Sequence, residues 1–509
     1  MSPRGGQALA LATLCTLLFL TFLDNTVVSV ALGDLQTSLK ANVADLQWVV
    51  GAYALTFASI MLACGMIGDE LGRKKVMLAG AGVFCAGSVL CALAPNVQTL
   101  IAGRAVMGLG AAASEPGTLS MLRHLYPEAR ARSRAIGVWA ATSGFALAMG
   151  PVVGGVLVGV WNWRGIFWFN LAFGLAALIV AAIILPESAD PTAARVDTAG
   201  TLLGAGALAT FVFAIIDSET AGFGSAGVIS LLCLSAVLFV AFGWWERRAP
   251  HPLLDLRFLR VPQFATSNIV AFCTYFATFA IFFFTALYLV DVVNASGYRL
   301  AAVFLPMTIL MIASSVLAGR WTARAGPRWS ITIGCVLFAG GLFLTDPFLS
   351  PHPDYGPLIV ALALAGIGIG TTVVPITSAV LAAVPPERSG MAASASNTSR
   401  EIGAVTGVAV LGSLVYSQLH VSLAAQMQHL GVPPQFQGLV VNAIETGQIP
   451  QNTSAYAGFG KLVQEVIGAA YTAFHDGLHA ALYLSAGLVL AAGLLAFITL
   501  RSQPADTGA

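Results

Sequence analysis

The chain has 509 residues, of which 57% are hydrophobic and only 9% are charged, and its formal net charge is +1 at pH 7. A soluble domain carries about 25% charged residues, so this composition excludes a soluble globular protein and indicates a chain that crosses a membrane many times. The near-zero net charge gives no reason to expect a nucleic acid as a partner.

Apolar stretches long enough for a helix to cross the hydrocarbon core of a bilayer recur along the whole chain. We place fourteen of them, at residues 8–32, 46–67, 76–94, 98–122, 135–160, 165–185, 197–216, 225–245, 263–290, 299–319, 329–348, 356–384, 391–418 and 476–500. The sequence therefore predicts an all-α polytopic membrane protein with fourteen transmembrane helices. An even number of crossings places both termini on the same side of the membrane.

Lys and Arg are distributed unevenly between the predicted loops. With the termini and every second loop assigned to the cytoplasm, 19 of the 24 Lys and Arg residues lie inside. Four lie outside (Lys40, Arg164, Arg299 and Lys461), and Arg104 falls within a span. Cytoplasmic loops carry an excess of basic residues, so this imbalance supports the helix count. We expect a multi-pass protein of the bacterial cytoplasmic membrane with both termini in the cytoplasm.

A short charged turn at residues 65–75 separates the second and third spans. A glycine-rich turn with five charges between two spans lies at a membrane surface, and its consecutive basic residues predict the cytoplasmic one. Its spacing resembles the signature loop between helices two and three of the major facilitator superfamily. The residues that carry this resemblance are Gly65, Asp69, Gly72, Arg73 and Lys74. The resemblance implies a cytoplasmic gate, latched by Asp69, Arg73 and Lys74 through charge and helix-end contacts.

A weaker echo of this turn follows the tenth span, at Gly319, Ala323, Gly326 and Arg328. Superfamily members are built from two parallel halves, which predicts two six-helix halves here with two inserted helices between them. The expected divisions are 1–196 for the N-terminal half, 197–245 for the inserted helices, 246–262 for a cytoplasmic linker, 263–500 for the C-terminal half and 501–509 for a cytoplasmic tail. The outer loop of the C-terminal half, 419–475, is either a solvated cap, which we favour, or a lid helix over the outer mouth.

Charged residues inside the spans are costly, and each therefore needs a reason. Asp24 lies about 24 Å along the first helix from its inner end, and Arg104 lies about 9 Å below the outer surface, at 1.5 Å per residue. The two residues share a similar depth, and we expect them to interact across helices one and four. The pair either takes part in proton coupling or only fixes the packing. Arg104, Gly108 and Gly110 resemble the family's helix-four motif, with Met107 where Gln is usual.

Glu115 follows Arg104 by eleven residues, immediately before Pro116. Eleven residues make three helical turns plus about 20°, so the two residues share a face about 16 Å apart and Glu115 lies near the membrane middle. A lone carboxyl there favours its neutral form unless a cation approaches. This property suits a proton carrier or a site for lipophilic cations. The alternative is a protonated Glu that is hydrogen-bonded to a neighbouring backbone.

A glycine-rich segment in the fifth span resembles the antiporter signature of the superfamily's exporters. It consists of Gly150, Pro151, Gly154 and Gly155. Small residues let helices approach closely and Pro removes a backbone hydrogen bond, so the segment suits a hinge or a tight seam. Ordinary small-residue packing is the alternative explanation.

The second half offers fewer candidates. Arg400 and Glu401 open the thirteenth span and resemble the fourteen-helix exporters, with Glu401 in place of a usual Gln. We place them near the cytoplasmic end, as part of the gate or as a surface pair. Tyr275, Phe279 and Phe283 share one face of the ninth span. They either line a substrate cavity or face lipid.

The resemblance covers the whole chain and is to the fourteen-helix drug:proton antiporters. It implies proton-driven multidrug efflux by alternating access, with small lipophilic or cationic substrates, protons and the lipid bilayer as partners, and a monomer. A dedicated exporter of one lipid, siderophore or antibiotic is the first alternative. A membrane enzyme or sensor is disfavoured because the chain lacks a phosphate-binding loop motif. The seven cysteines and seven histidines show no metal-site spacing, so we expect no metal and no cofactor.

Overall fold

The computed structural model describes residues 3–187, 197–250, 252–253, 255–293, 295–350, 353–385, 389–429 and 460–500. Nearly all of these residues are helical, and none of them forms a strand. The helices are α1 Pro3–Val27, α2 Leu32–Leu39, α3 Val43–Leu71, α4 Arg73–Ala92, α5 Val97–Leu125, α6 Ala129–Val160, α7 Arg164–Ile184, α8 Thr198–Ala221, α9 Ala226–Glu246, α10 Pro262–Phe279, α11 Thr285–Asp291, α12 Gly297–Ala325, α13 Pro327–Thr345, α14 Tyr355–Ala382, α15 Ser389–His429 and α16 Gly460–Thr499.

Three shorter 3₁₀ segments and one π-helical segment complete the described chain. The 3₁₀ segments are Val28–Ala31, Phe258–Arg260 and Asp346–Phe348. The π-helical segment, Ala280–Phe284, joins α10 to α11. Irregular turns of this kind within long helices are frequent at functional sites.

The predicted all-α polytopic architecture is confirmed. Twelve helical segments of the described chain are long and apolar enough to cross a membrane. Two further helices, α3 and α5, have 29 residues each but are not among those twelve. The count of fourteen spans therefore stays a prediction.

The helix ends follow local sequence rules. Asn42 caps α3 by accepting a hydrogen bond from the backbone of Asp45, whose carboxylate accepts one in return from the Asn42 backbone. This reciprocal arrangement satisfies two amide groups that the first helical turn leaves free. Single glycines with positive φ join α3 to α4 (Gly72, 111°) and α12 to α13 (Gly326, 78°). The turn at residues 65–75 and its echo thus both turn at a glycine with positive φ, which glycine adopts without strain.

The helices form two groups, α1–α7 and α10–α16, that meet along two seams. In one seam α3 packs against α15, and in the other α6 packs against α12. The inserted helices α8 and α9 pack on each other, and α8 also contacts α3 and α15. The inserted pair therefore lies against a seam between the two groups, which we call the N-half and the C-half.

The outer loop predicted at 419–475 is shorter in the structure. Helix α15 continues to His429 and α16 already begins at Gly460, because both segments keep a helical pattern beyond their apolar cores. Residues 430–459, on which the choice between cap and lid depends, lie outside the described residues. The predicted tail, 501–509, also lies outside them.

Candidate functional site

Asp24 and Arg104 form an ion pair in the core of the N-half. Arg104 Nη1 donates to Asp24 Oδ2, and Asn170 Nδ2 of α7 donates to Asp24 Oδ1 at 2.6 Å. The side chains of Asp24 and Arg104 are 0% and 1% exposed. The structure thus brings together the two residues whose depths matched in the sequence.

Arg104 is held by further contacts within the same half. Its Nε donates to the carbonyl oxygen of Val49 at 2.9 Å, and its guanidinium carbon lies 4.4 Å from the centre of the Tyr53 ring. Both carboxylate oxygens of Asp24 are occupied, and the guanidinium neutralises the buried charge. Removing one partner of such a buried pair would leave an uncompensated charge.

Glu115 lies at the boundary between the halves. Its Oε1 accepts a hydrogen bond of 2.5 Å from Asn397 Nδ2 of α15, and its Oε2 has no hydrogen-bond partner among the described residues. The residue is 1% exposed. It lines a small cavity between the halves together with Met61, Pro116 and Trp139. Glu115 therefore combines a buried carboxyl, a free oxygen and a contact across the seam.

Arg400 extends this network within the C-half. Its Nη1 donates to Asn397 Oδ1 at 3.3 Å, and its Nη2 donates to Thr377 Oγ1 of α14. Its guanidinium carbon also lies 5.5 Å from the centre of the Tyr275 ring. Asn397 is thus oriented by Arg400, so that its amide nitrogen faces Glu115.

Glu401 reaches the N-half from the neighbouring position on α15. Its Oε1 accepts a hydrogen bond of 2.9 Å from Asn25 Nδ2 of α1, while its Oε2 and Asn25 Oδ1 have no hydrogen-bond partner among the described residues. Asn25 directly follows Asp24 in the sequence. Two adjacent residues of α1 therefore have partners in different halves. Asp24 pairs with Arg104 of its own half, and Asn25 donates to Glu401 of the C-half.

The prediction of a surface pair at Arg400 and Glu401 is wrong. Both residues are 1% exposed and contact the buried network described above. The physical reason is depth, since α15 begins at Ser389. Glu401 lies about 18 Å from that start at 1.5 Å per residue, which is the middle of a bilayer rather than its edge.

The turn at residues 65–75 fixes neighbouring helices of the N-half. Lys74 Nζ donates to the carbonyl oxygen of Ala182 near the end of α7 at 2.7 Å, and the Lys74 amide donates to Glu187 at 3.1 Å. Arg73 Nη1 donates to the carbonyl oxygen of Ser120 in α5 at 3.4 Å. Asp69 lies outside the residues whose side chains the structure describes. The contacts of Arg73 and Lys74 named here all lie within the N-half.

The segment that resembles the antiporter signature forms a tight seam. Gly150 and Gly154 of α6 lie directly against Thr26 and Val27 at the end of α1. Gly155 faces the other way, and a Cβ built on it would lie 2.5 Å from the carbonyl oxygen of Gly297 in α12. Pro151 lies within α6 between these contacts. The glycines therefore let α6 touch both its own half and the C-half at backbone distance.

Replacing Gly155 by Ala is expected to disrupt this seam. The new methyl group would also lie 2.8 Å from Ala301 Cβ, so α6 and α12 must separate. Overpacking of this kind costs about 1–3 kcal/mol. We expect a clear loss of the drug efflux that the resemblance implies, measured with ethidium in cells at equal membrane protein levels. Gly137→Ala is the control, because a Cβ on Gly137 of the same helix meets nothing within 4 Å. Equal efflux by Gly155→Ala and Gly137→Ala would contradict a functional seam.

A second cavity lies beside the inserted helices. This cleft of about 170 Å³ is bounded by α3, α8, α9, α10 and α15, and most of its lining is apolar. Phe239 and Phe242 of α9 line it, and Asn268 and Ser399 of the C-half contribute polar groups to the lining. The inserted pair thus contributes directly to a cavity next to the seam.

The three predicted cavity aromatics are buried in the C-half. Tyr275, Phe279 and Phe283 are at most 2% exposed, so they do not face lipid. Tyr275 contacts the guanidinium of Arg400, as described above. The three residues line neither of the two cavities described here. Their role in substrate binding stays a prediction.

Sequence reasoning missed the amides that connect the ionised groups. Asn25, Asn170 and Asn397 each hold a carboxylate, and none of them was a candidate. The available signal was their polarity within apolar spans, because a buried amide needs partners as a charge does. A search limited to charges overlooks this class of residue.

Comparison with known proteins gives one family and consistent relatives. Residues 14–408 match the family described as Major Facilitator Superfamily. The chain is 35% identical over 429 residues to the multidrug resistance protein Stp of Mycobacterium tuberculosis (strain CDC 1551 / Oshkosh), covering 84% of this chain and 79% of that protein. It is 33% identical over 420 residues to the methylenomycin A resistance protein of Streptomyces coelicolor, covering 82% and 88%.

A solved structure supports the fold independently. The crystal structure of a bacterial homolog to the human lysosomal transporter Spinster, in an inward-facing and occupied conformation, matches with a TM-score of 0.64. The match covers 96% of both chains at 17% identity. This likeness concerns the arrangement of the helices alone.

Proposed function

Because the chain belongs to the Major Facilitator Superfamily, we propose that it exports lipophilic, mainly cationic drugs in exchange for protons. Substrate binds between the two halves, which expose the site alternately to each side of the membrane. Two relatives support export, one named for multidrug resistance and one for resistance to methylenomycin A. The protein works as a multi-pass membrane protein, with the turn at residues 65–75 on the cytoplasmic side.

The environment of Glu115 is the observation that carries this proposal. The carboxyl group is buried, one oxygen is bonded to the opposite half and the other has no hydrogen-bond partner among the described residues. A carboxylate in such a low-dielectric site is stabilised by binding either a proton or an organic cation. Because Asn397 belongs to the C-half, whatever binds Glu115 also alters a contact that joins the two halves.

Competition for Glu115 gives an exchange cycle. When the site faces the cytoplasm, Glu115 releases its proton and the carboxylate attracts a cationic drug. When the site faces outside, where the proton concentration is higher, a proton displaces the cation from the carboxylate. Protonated Glu115 then carries no charge, so the empty transporter returns without a buried ion. Each cycle moves one drug outward and at least one proton inward.

Asp24 and Arg104 play a different part in this scheme. Both oxygens of Asp24 are already occupied, and the guanidinium balances its charge within the N-half. Among the predicted proton-coupling residues, we assign proton exchange to Glu115, and we assign the Asp24–Arg104 pair to positioning α1 against α5. Asp69, Arg73 and Lys74 remain our proposed gate at the cytoplasmic end.

Drug accumulation in cells tests the proposed energy source. Cells that express the protein are expected to retain less ethidium than cells that do not, and a protonophore should abolish the difference. Depletion of ATP while the proton gradient is maintained should leave the difference intact. Export that follows ATP rather than the proton gradient would contradict antiport.

A dedicated exporter of one compound is the second candidate. The methylenomycin A relative favours it, since that protein is named for a single antibiotic. The two candidates differ in substrate range. Resistance to several chemically unrelated cations supports the multidrug proposal, whereas resistance to one compound class supports the dedicated exporter.

A further inference from the structure

We infer that Glu401 is a second proton-exchanging carboxyl, which serves the C-half as Glu115 serves the N-half. The inference rests on the proposed antiport and extends it. With this second carboxyl, the protein exchanges more protons for each drug molecule than a variant that lacks the Glu401 carboxyl.

Two hydrogen bonds across the seam have the same chemistry and opposite direction. Glu115 of the N-half accepts from the amide of Asn397 in the C-half. Glu401 of the C-half accepts from the amide of Asn25 in the N-half. In each bond a carboxylate of one half is held by an asparagine of the other. Hydrogen bonds to an ionised acceptor are stronger than those to a neutral one, so protonation weakens both links.

Glu401 has a carboxylate oxygen that is free to bind a proton, whereas Asp24 has none. Both oxygens of Asp24 accept hydrogen bonds, whereas Oε2 of Glu401 has no hydrogen-bond partner among the described residues. Asn25 Oδ1 and Glu115 Oε2 are likewise buried acceptors without a donor. Such acceptors are costly in a low-dielectric site, and a proton on a carboxyl supplies the missing donor. Proton binding at these carboxyl groups therefore stabilises the network.

Among the described residues, no cation donates a hydrogen bond to Glu401, and Arg400 acts on it through its charge alone. Arg104 is engaged by Asp24, and the two Nη atoms of Arg400 donate to Asn397 and Thr377. The charged and titratable groups that interact electrostatically with Glu401 are Tyr53 on α3, Glu115 on α5, Tyr275 on α10 and Arg400 on α15. With both carboxyl groups ionised, Glu401 and these neighbours hold two negative charges and one positive charge, so the set favours uptake of positive charge.

The position of Asn25 explains how protonation of Glu401 affects the packing of the helices. Asn25 lies between Asp24, which is fixed to the N-half, and the 3₁₀ segment that begins at Val28. Releasing the Glu401–Asn25 bond removes a contact between α15 and this irregular part of α1. Both cross-seam links then depend on proton binding, one from each half.

The ratio of protons released to ethidium taken up, measured in liposomes, tests the inference. In Glu401→Gln the ratio is expected to fall by about one proton per ethidium, because a carboxamide binds no proton in this range. Asn25→Ala, which keeps the carboxyl and removes the cross-seam bond, should retain the wild-type ratio while its rate changes. An unchanged ratio in an active Glu401→Gln protein would overturn the inference.

An inactive Glu401→Gln protein is resolved by Glu401→Asp, which restores a carboxyl at the same position. Recovery of coupled transport in Glu401→Asp supports a titratable role. Inactivity of both variants, each folded in the membrane, shows that shape rather than ionisation matters and overturns the inference. Absence of coupling in the wild type would instead refute the proposed antiport itself, so the two failures are distinguishable.

Discussion

The Glu115→Gln variant is expected to lose proton-coupled drug export while it remains folded in the membrane. Gln has nearly the same shape, and its carbonyl oxygen still accepts the hydrogen bond from Asn397. It binds no proton and attracts no cation, so both exchanging ligands lose their site. Removing one partner of a buried charge pair costs about 2–5 kcal/mol, which predicts ethidium binding at least about 30-fold weaker.

Glu128→Gln provides the matched control for this variant. Glu128 precedes α6 on the surface, is exposed and makes no side-chain capping bond, so the same chemical change there should leave efflux intact. Binding of ethidium to purified protein and efflux from cells give independent measurements. If Glu115→Gln exported both cationic and neutral compounds like the wild type, Glu115 would not be the exchanging group.

The Arg104→Ala variant is expected to show the largest loss of stability. It leaves Asp24 buried with only Asn170 as a partner, and breaking a buried pair in this way costs about 3–5 kcal/mol. The cation–π contact with Tyr53 and the hydrogen bond to Val49 disappear as well. Thermal unfolding of the purified protein should begin at a clearly lower temperature, and little transport should remain.

A second substitution separates the two roles considered for this pair. Asp24→Asn combined with Arg104→Met removes both charges and keeps much of the volume, so stability should largely return. Recovery of coupled transport in the double variant supports a purely structural pair. A stable double variant that exports drug without moving protons would assign the pair a part in coupling. Normal stability and proton dependence of Arg104→Ala alone would contradict the importance of the pair.

The sequence was sufficient for those features that depend on position along one helix. Apolar stretches predicted the all-helical membrane architecture, and the spacing within residues 65–75 indicated the family. The contact between Asp24 and Arg104 was predictable because the rise per residue sets the depth of each side chain. Depth alone sufficed, since both residues lie in helices of the same half.

Contacts across the seam could not be predicted in this way. The bonds from Asn397 to Glu115 and from Asn25 to Glu401 join residues 282 and 376 positions apart. They depend on how each helix is rotated and on how the halves meet, which packing decides rather than local sequence. Glu401 was also misplaced, because it was taken to open the thirteenth span, whereas it lies about 18 Å along α15 from Ser389.

The close approach of α6 to its neighbours was predictable only in part. The glycines at 150–155 predicted a hinge or a tight seam but not its partners. The structure places Gly154 against Val27 of the N-half and Gly155 against Gly297 of the C-half. Glycine reveals that a backbone can approach closely, whereas the approaching element is set by the tertiary arrangement.

Substrate-driven proton movement in liposomes tests antiport at Glu115 most directly. Purified wild type and Glu115→Gln are reconstituted separately, ethidium is added on one side, and the proton concentration inside the liposomes is followed with a fluorescent indicator. Antiport at Glu115 predicts proton release with the wild type and none with Glu115→Gln. Proton release that persists unchanged in Glu115→Gln, or its absence in an ethidium-transporting wild type, would contradict it.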